Sequence, residues 1–232
     1  MDEPSKLKLQ KDRIASAKAS KGISEEAIYL KVMKHIKDDI NSKCDLLDFG
    51  AGSGNLIKYI YNSGFKGNFF GADIMAAPRE VPEDVIWIKT DLNYPLDLKD
   101  NLFDLIISIE VIEHLENPRD TFREFYRLLR PGGKLVVTTP NQESIRAFLA
   151  LLFKGHFVAF SDASYPAHIT ALLRKDFLRI CNESDFDSPS FFYTDKGGIP
   201  KLPRVLWQQI SFNLLKGRLF SDNLILITNK SL

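Results

Sequence analysis

Residues 44–56 read C-D-L-L-D-F-G-A-G-S-G-N-L, and little else in the chain limits its fold as strongly. A short apolar run ends in an acid, then Gly50, Gly52 and Gly54 lead directly into a helical pattern. Glycine tolerates positive φ and lets another molecule approach the main chain, so glycines at alternate positions between a strand and a helix predict a sharp turn with a ligand shelf. Two phosphate-binding versions of such a turn do not match. The dinucleotide pattern G-x-G-x-x-G would put a third glycine where Asn55 stands. The triphosphate loop would need a Lys-Ser or Lys-Thr after its last glycine, and Asn55-Leu56 follows instead.

The 232 residues suffice for one sizeable α/β domain, and a hydrophobic content of 44% with 26% charged residues is that of a water-exposed globular chain. A formal net charge of +1 argues against a general nucleic-acid binder, which relies on a basic excess. Cys44 and Cys181 form neither a disulfide framework nor a metal-binding spacing, and Cys44, opening an apolar strand, reads as core. The charged N-terminus lacks a signal-peptide core, and the longest apolar run, residues 147–153, is far short of the ~20 residues of a membrane span. Together these lead us to expect a cytoplasmic protein.

Residues 1–23 are polar without an apolar period and are expected to form a tail, in which a frayed helix has room; residues 24–232 are expected to be a single domain. Ile28, Val32, Ile36 and Ile40 then predict an amphipathic helix. Strands are expected at residues 44–50, 68–74, 85–90, 103–109 and 134–139, with a helix at 55–62 and another opening at Asn117-Pro118 and closed by Pro131-Gly132-Gly133. Apolar strands alternating with helices predict a parallel sheet covered on both faces, with ligands beyond the carboxyl ends of its strands. Further on, helices are expected at 143–153, 174–184 and 203–215, and strands at 190–194 and 224–228. Residues 154–170, aromatic and punctuated by glycine, read as a lid or substrate loop.

Acids fall where that sheet would present them. Asp73 closes the second strand, where a carboxylate can accept both hydroxyls of a ribose. Asp91 closes the third, where its side chain with the Leu92 N–H can read the edge of an adenine.

The glycine turn with its leading acid Asp48, the acids Asp73 and Asp91, and the blocks F-D-L-I-I-S-I-E-V-I-E-H-L-E-N-P (103–118) and L-L-R-P-G-G-K-L-V-V-T-T-P-N (128–141) resemble the class I S-adenosylmethionine-dependent methyltransferases. Within that class they are most similar to the small-molecule O-methyltransferases of the ubiquinone-biosynthesis type. The resemblance runs continuously over residues 45–141. It implies a Rossmann-like seven-stranded sheet, mostly parallel, with an antiparallel last strand beside the fifth and helices on both faces. It also implies a donor site of Asp48, Gly50, Gly52, Gly54, Asp73, Ile74, Asp91, Leu92 and Ile109.

Glu110, Glu113 and His114 have i, i+3, i+4 spacing, so one helical turn after the fourth strand would point them the same way. In the resembled enzymes this motif with a later histidine, here His168, binds a divalent metal, with Mg, Mn, Fe and Zn all compatible. His114 and His168 are also the candidate general bases for a hydroxyl acceptor, and His156 reads as structural. Residues 196–221 carry five Lys or Arg and no acid among apolar residues, a stretch suited to an anionic or lipid-linked substrate, to peripheral membrane contact, or to a basic-rimmed helix on the sheet. A small-molecule methyltransferase acting on oxygen is the expected function; the alternatives are a metal-assisted RNA 2′-O-methyltransferase and a noncatalytic S-adenosylmethionine-binding subunit.

Overall fold

The computed structural model describes residues 11–15, 17–18, 22–40 and 43–232. A seven-stranded sheet carries the fold, in the order β3-β2-β1-β4-β5-β9-β6. Its strands are β1 (Asp45–Phe49), β2 (Asn68–Asp73), β3 (Ile86–Lys89), β4 (Phe103–Ile109), β5 (Leu129–Pro140), β6 (Ser190–Tyr193) and β9 (Asn223–Asn229). The first five pair in parallel, while β9 runs antiparallel to both β5 and β6. Strand order reverses between β1 and β4, which opens a crevice at their carboxyl ends.

Both faces of the sheet are apolar because both are covered. On one side α1 (Glu26–Ile40) lays Ile28, Val32 and Ile36 beside α2 (Asn55–Asn62), against Leu46 and Phe69 of the sheet. On the other, α3 (Pro118–Leu128) and α5 (Arg174–Glu183) bring Phe122, Phe125 and Phe177 onto Phe49 and Phe103. Asn117 starts α3 as expected, its side chain accepting the Asp120 N–H at 3.2 Å ahead of Pro118.

Three expectations need correction. Residues 203–215 do not form one helix: a hairpin of β7 (Gly198–Ile199) and β8 (Leu202–Leu206) leads into the single turn α6 (Trp207–Ile210). Positive φ at Phe212 and Asn213 stops that turn, and buried Gln208 holds the loop by bonding Gly197 N–H, Leu215 C=O and Phe220 C=O. The strand β5 starts five residues early, at Leu129, which pairs with Phe103; residues 130–133 then bulge before Lys134 pairs with Leu105, and Arg130 in the bulge pairs with Asp45 (2.6 Å) and Asp104 (2.5 Å). The polar N-terminal stretch is no free tail where it is described: residues 11–15 and 17–18 are helical, and Arg13 pairs with Asp91 and, at 2.6 Å, with Glu116. The rest of that expectation, at 1–10, 16 and 19–21, lies outside the described residues.

Phe122 is fully buried, with its ring 5.8 Å from Phe125, 6.0 Å from Phe177 and 6.1 Å from Phe186. Replacing it by alanine should cost about 3–5 kcal/mol of stability, read from the urea unfolding midpoint. A loss below about 1 kcal/mol would mean that this aromatic cluster does not carry the face it fills.

Candidate functional site

At the crevice lies a cavity of about 980 Å³. Its floor is the turn after β1. Gly50, Gly52 and Gly54 all have positive φ (87°, 48° and 72°), and a Cβ on Gly50 would stand 2.2 Å from a Val111 methyl. Gly50 N–H and Ala51 N–H both donate to Ala72 C=O, at 2.8 and 3.1 Å. Gly52 N–H donates to Asp73 Oδ2 at 2.9 Å, so the shelf is fastened to the end of β2.

Asp73 is also held by Met75 N–H at 2.7 Å, and Ile74 lines the cavity beside it. Asp91 accepts from Asn93 N–H and Asn93 Nδ2 at 3.0 Å and faces Arg13 across an ion pair. Leu92 and Ile109 complete the wall. Every residue expected at the donor site, Gly54 apart, lines this one cavity; Gly54 sits just behind, donating its N–H to Ala51 C=O and opening α2. Over them passes the N-terminal stretch, with Gly22 C=O accepting from Ser53 N–H and Ser53 Oγ at 3.2 and 2.7 Å. This strap leaves no mark in the residue pattern. Its polar residues have no period, and its attachments are long-range ion pairs and main-chain bonds.

The E-x-x-E-H segment departs from the expected single turn. Glu110 follows β4 with φ 52°, and only Ile112–His114 wind, as a 3-10 turn. Glu110 is thereby aimed away, accepting from Asn223 Nδ2 at 2.8 Å, while Glu113, His114 and His168 offer ligand atoms within 4.8 Å of one another. Glu113 is fully buried, with Oε2 bonded to Thr139 Oγ1 at 3.1 Å and Oε1 without a partner among the described residues. His114 Nδ1 lies 2.7 Å from Ala167 C=O and His168 Nδ1 2.6 Å from Ala159 C=O. A carbonyl only accepts, so both Nδ1 atoms carry the proton and both Nε2 atoms present lone pairs. Burial keeps both imidazoles below the usual histidine pKa, so both are neutral at pH 7. His156 bonds Phe157 C=O at 2.9 Å and does not line the cavity.

Four carboxyl groups line the cavity with raised pKa values, each first by burial: Asp48, Asp73, Glu110 and Glu113. Asp48 is pushed up to about 8, with the charge of Asp73 adding to burial, and its Oδ2 has no partner among the described residues. Its folded-state pKa lies above the ordinary 3.8, so folding favours the neutral acid. That contribution is intact below about pH 4 and is lost as pH rises through about 8. In the ligand-free protein, Asp48→Asn should therefore gain stability over wild type between about pH 5 and about pH 8, by up to ~1.4 kcal/mol per pH unit in urea titrations. A difference that stays constant over that range would refute the assignment.

The family profile described as a methyltransferase domain matches residues 12–188. The mitochondrial ubiquinone biosynthesis O-methyltransferase of Candida albicans is 25% identical over 186 residues, covering 74% of this chain and 56% of that protein. The ubiquinone biosynthesis O-methyltransferase of Rickettsia canadensis is 30% identical over 139 residues, 58% of each. This chain thus spans a little over half the length of these curated relatives. Among solved structures, the Burkholderia thailandensis 1,6-didemethyltoxoflavin-N1-methyltransferase with bound 1,6-didemethyltoxoflavin and S-adenosylhomocysteine is similar over 100% of this chain and 92% of that one, with a TM-score of 0.62 and 14% identity. A SAM-dependent methyltransferase from Archaeoglobus fulgidus covers 89% and 95%, with a TM-score of 0.61 and 18% identity. At such identities the structural likeness speaks for the fold, and the profile for the family: the chain belongs to the methyltransferase domain family and has the fold of its S-adenosylmethionine-dependent members.

Proposed function

We propose that this protein transfers the methyl group of S-adenosylmethionine to a hydroxyl oxygen of a small-molecule acceptor. The observation that carries the donor assignment is the set of carboxyl groups around the cavity, with Asp48, Asp73 and Glu113 buried and Glu110 half-buried. A buried acid without a cation is costly, so such a cavity favours a ligand bearing a sulfonium and an ammonium and disfavours a pyrophosphate. On this reading Asp73 takes the ribose hydroxyls, Asp91 with Leu92 the adenine, and the turn at residues 50–54 with Asp48 the amino-acid end, Ile109 packing beside it.

Methyl transfer from a sulfonium is an in-line displacement, so the protein mainly aligns the two partners and excludes water. A hydroxyl must also lose its proton. The Nε2 lone pairs of His114 and His168, oriented by the main-chain carbonyls behind them, suit that role. The same orientation suits metal ligation, in which a histidine gives its other N–H to a carbonyl, and the unpartnered Oε1 of Glu113 adds a carboxylate. Glu113, His114 and His168 would hold a divalent cation, with Glu110 outside the set. When bound, the cation would lower the pKa of a coordinated hydroxyl. Oxygen as the methylated atom is supported by the names of the curated relatives. The near-neutral net charge weighs against RNA.

Two measurements test this. Asp73→Ala should weaken S-adenosylmethionine binding about 100-fold or more by calorimetry, since it removes both the ribose acceptor and the anchor of Gly52; affinity within about threefold of wild type would contradict the donor site. His168→Ala should lower turnover on phenolic or sugar hydroxyls by about 10²–10⁴ with donor affinity unchanged. Unchanged turnover would remove the base. Chelator treatment with no effect, and no metal in the purified protein, would remove the cation alone.

A further inference from the structure

The helix α4 (Ile145–Lys154) has the sequence I-R-A-F-L-A-L-L-F-K, yet only Ala147 of it is buried. Phe148, Leu152 and Phe153 are 60%, 62% and 78% exposed. A helix this apolar in an aqueous chain normally packs its apolar stripe on a core, and exposed patches of this kind mark interaction surfaces. A second exposed apolar set lies alongside. Phe212 and Leu214 are 90% and 83% exposed on the loop after α6, and the positive φ of Phe212 lifts it out as the tip of a turn.

The two sets belong to one face. Arg146 of α4 pairs with Asp222 at 2.7 Å, Asn141 just before α4 donates to Arg218 C=O at 2.7 Å, and the 3-10 turn Arg218–Phe220 packs on α4. Gln208 ties the Phe212 loop to the same turn through Leu215 C=O and Phe220 C=O. Around the apolar side chains stand Lys154, Lys201, Arg204, Lys216 and Arg218, all exposed and none in an ion pair among the described residues. Residues 196–221 contain no acid, so this stretch brings only cations to the face.

We propose that this face docks onto an anionic lipid bilayer, with α4 lying in the plane of the interface and Phe153 and Phe212 entering the acyl boundary. Cations surrounding Phe and Leu match a surface with negative headgroups above an apolar interior. A second copy of the chain would set like charges against like. No helix among the described residues is long and apolar enough to cross a membrane, so the contact is peripheral. None of the side chains proposed to touch lipid lines the donor cavity, so this inference does not depend on the methyl-transfer chemistry.

The test is co-sedimentation of the full chain with vesicles of phosphatidylcholine alone or with about one-third phosphatidylglycerol, at low and high salt. The expected result is binding to the anionic vesicles that falls with salt. Phe153→Ser with Phe212→Ser, and separately Lys154→Glu with Lys216→Glu, should each lower the partition coefficient about tenfold or more while thermal melting stays unchanged. Absence of binding to anionic vesicles at low salt overturns the proposal, as does binding that neither variant reduces. A dimer in light scattering that the serine variant dissociates, without vesicle binding, would assign the face to a second copy instead.

Discussion

The carbonyl of Ala72 is the fixed point of this molecule. It accepts two main-chain N–H groups, from Gly50 and Ala51, which forces the chain leaving β1 to fold back over the end of β2. Only a residue free to take φ 87° beside the Val111 methyls fits at the bend. Once that bond pair is made, Gly52 meets Asp73, α2 starts at Asn55, and Asp48 is sealed beneath the turn. The cavity, its acids and the strap above it all take their positions from this junction.

Around it the protein concentrates carboxyl groups whose pKa values burial raises, so that charging them is costly. Such a site is electrostatically unfinished without a cationic ligand. On the proposed reading, the methyl donor supplies positive charge at one end of the cavity. At the other, Glu113 and two imidazoles with free Nε2 atoms are arranged to receive either a proton or a metal. Arg13, paired with Asp91, and Gly22, bonded to Ser53, line the same cavity.

Most of the sheet was legible because a parallel strand buried on both faces writes itself as an unbroken apolar run, as in F-D-L-I-I-S-I. The strand-end acids were legible for the same reason, since each run stops at a polar residue. Other features left no such mark. Glu110 departs from its helical spacing through one backbone dihedral, which no pattern of residue types encodes. The segment 203–215 has the apolar content of a packed helix, but Ile210, Phe212 and Leu214 are exposed and the only buried member among residues 207–214 is polar Gln208. Apolar residues that face outward for a partner look the same, in sequence, as those that face a core.

A crystal structure of the protein with S-adenosylhomocysteine tests the central claim most directly. The predicted result is the nucleoside with its ribose hydroxyls on Asp73, its base between Asp91 and Leu92, and its amino-acid end against residues 50–54 above Asp48. Density for the ligand elsewhere, or displacement of it from this cavity by a nicotinamide dinucleotide, would contradict it.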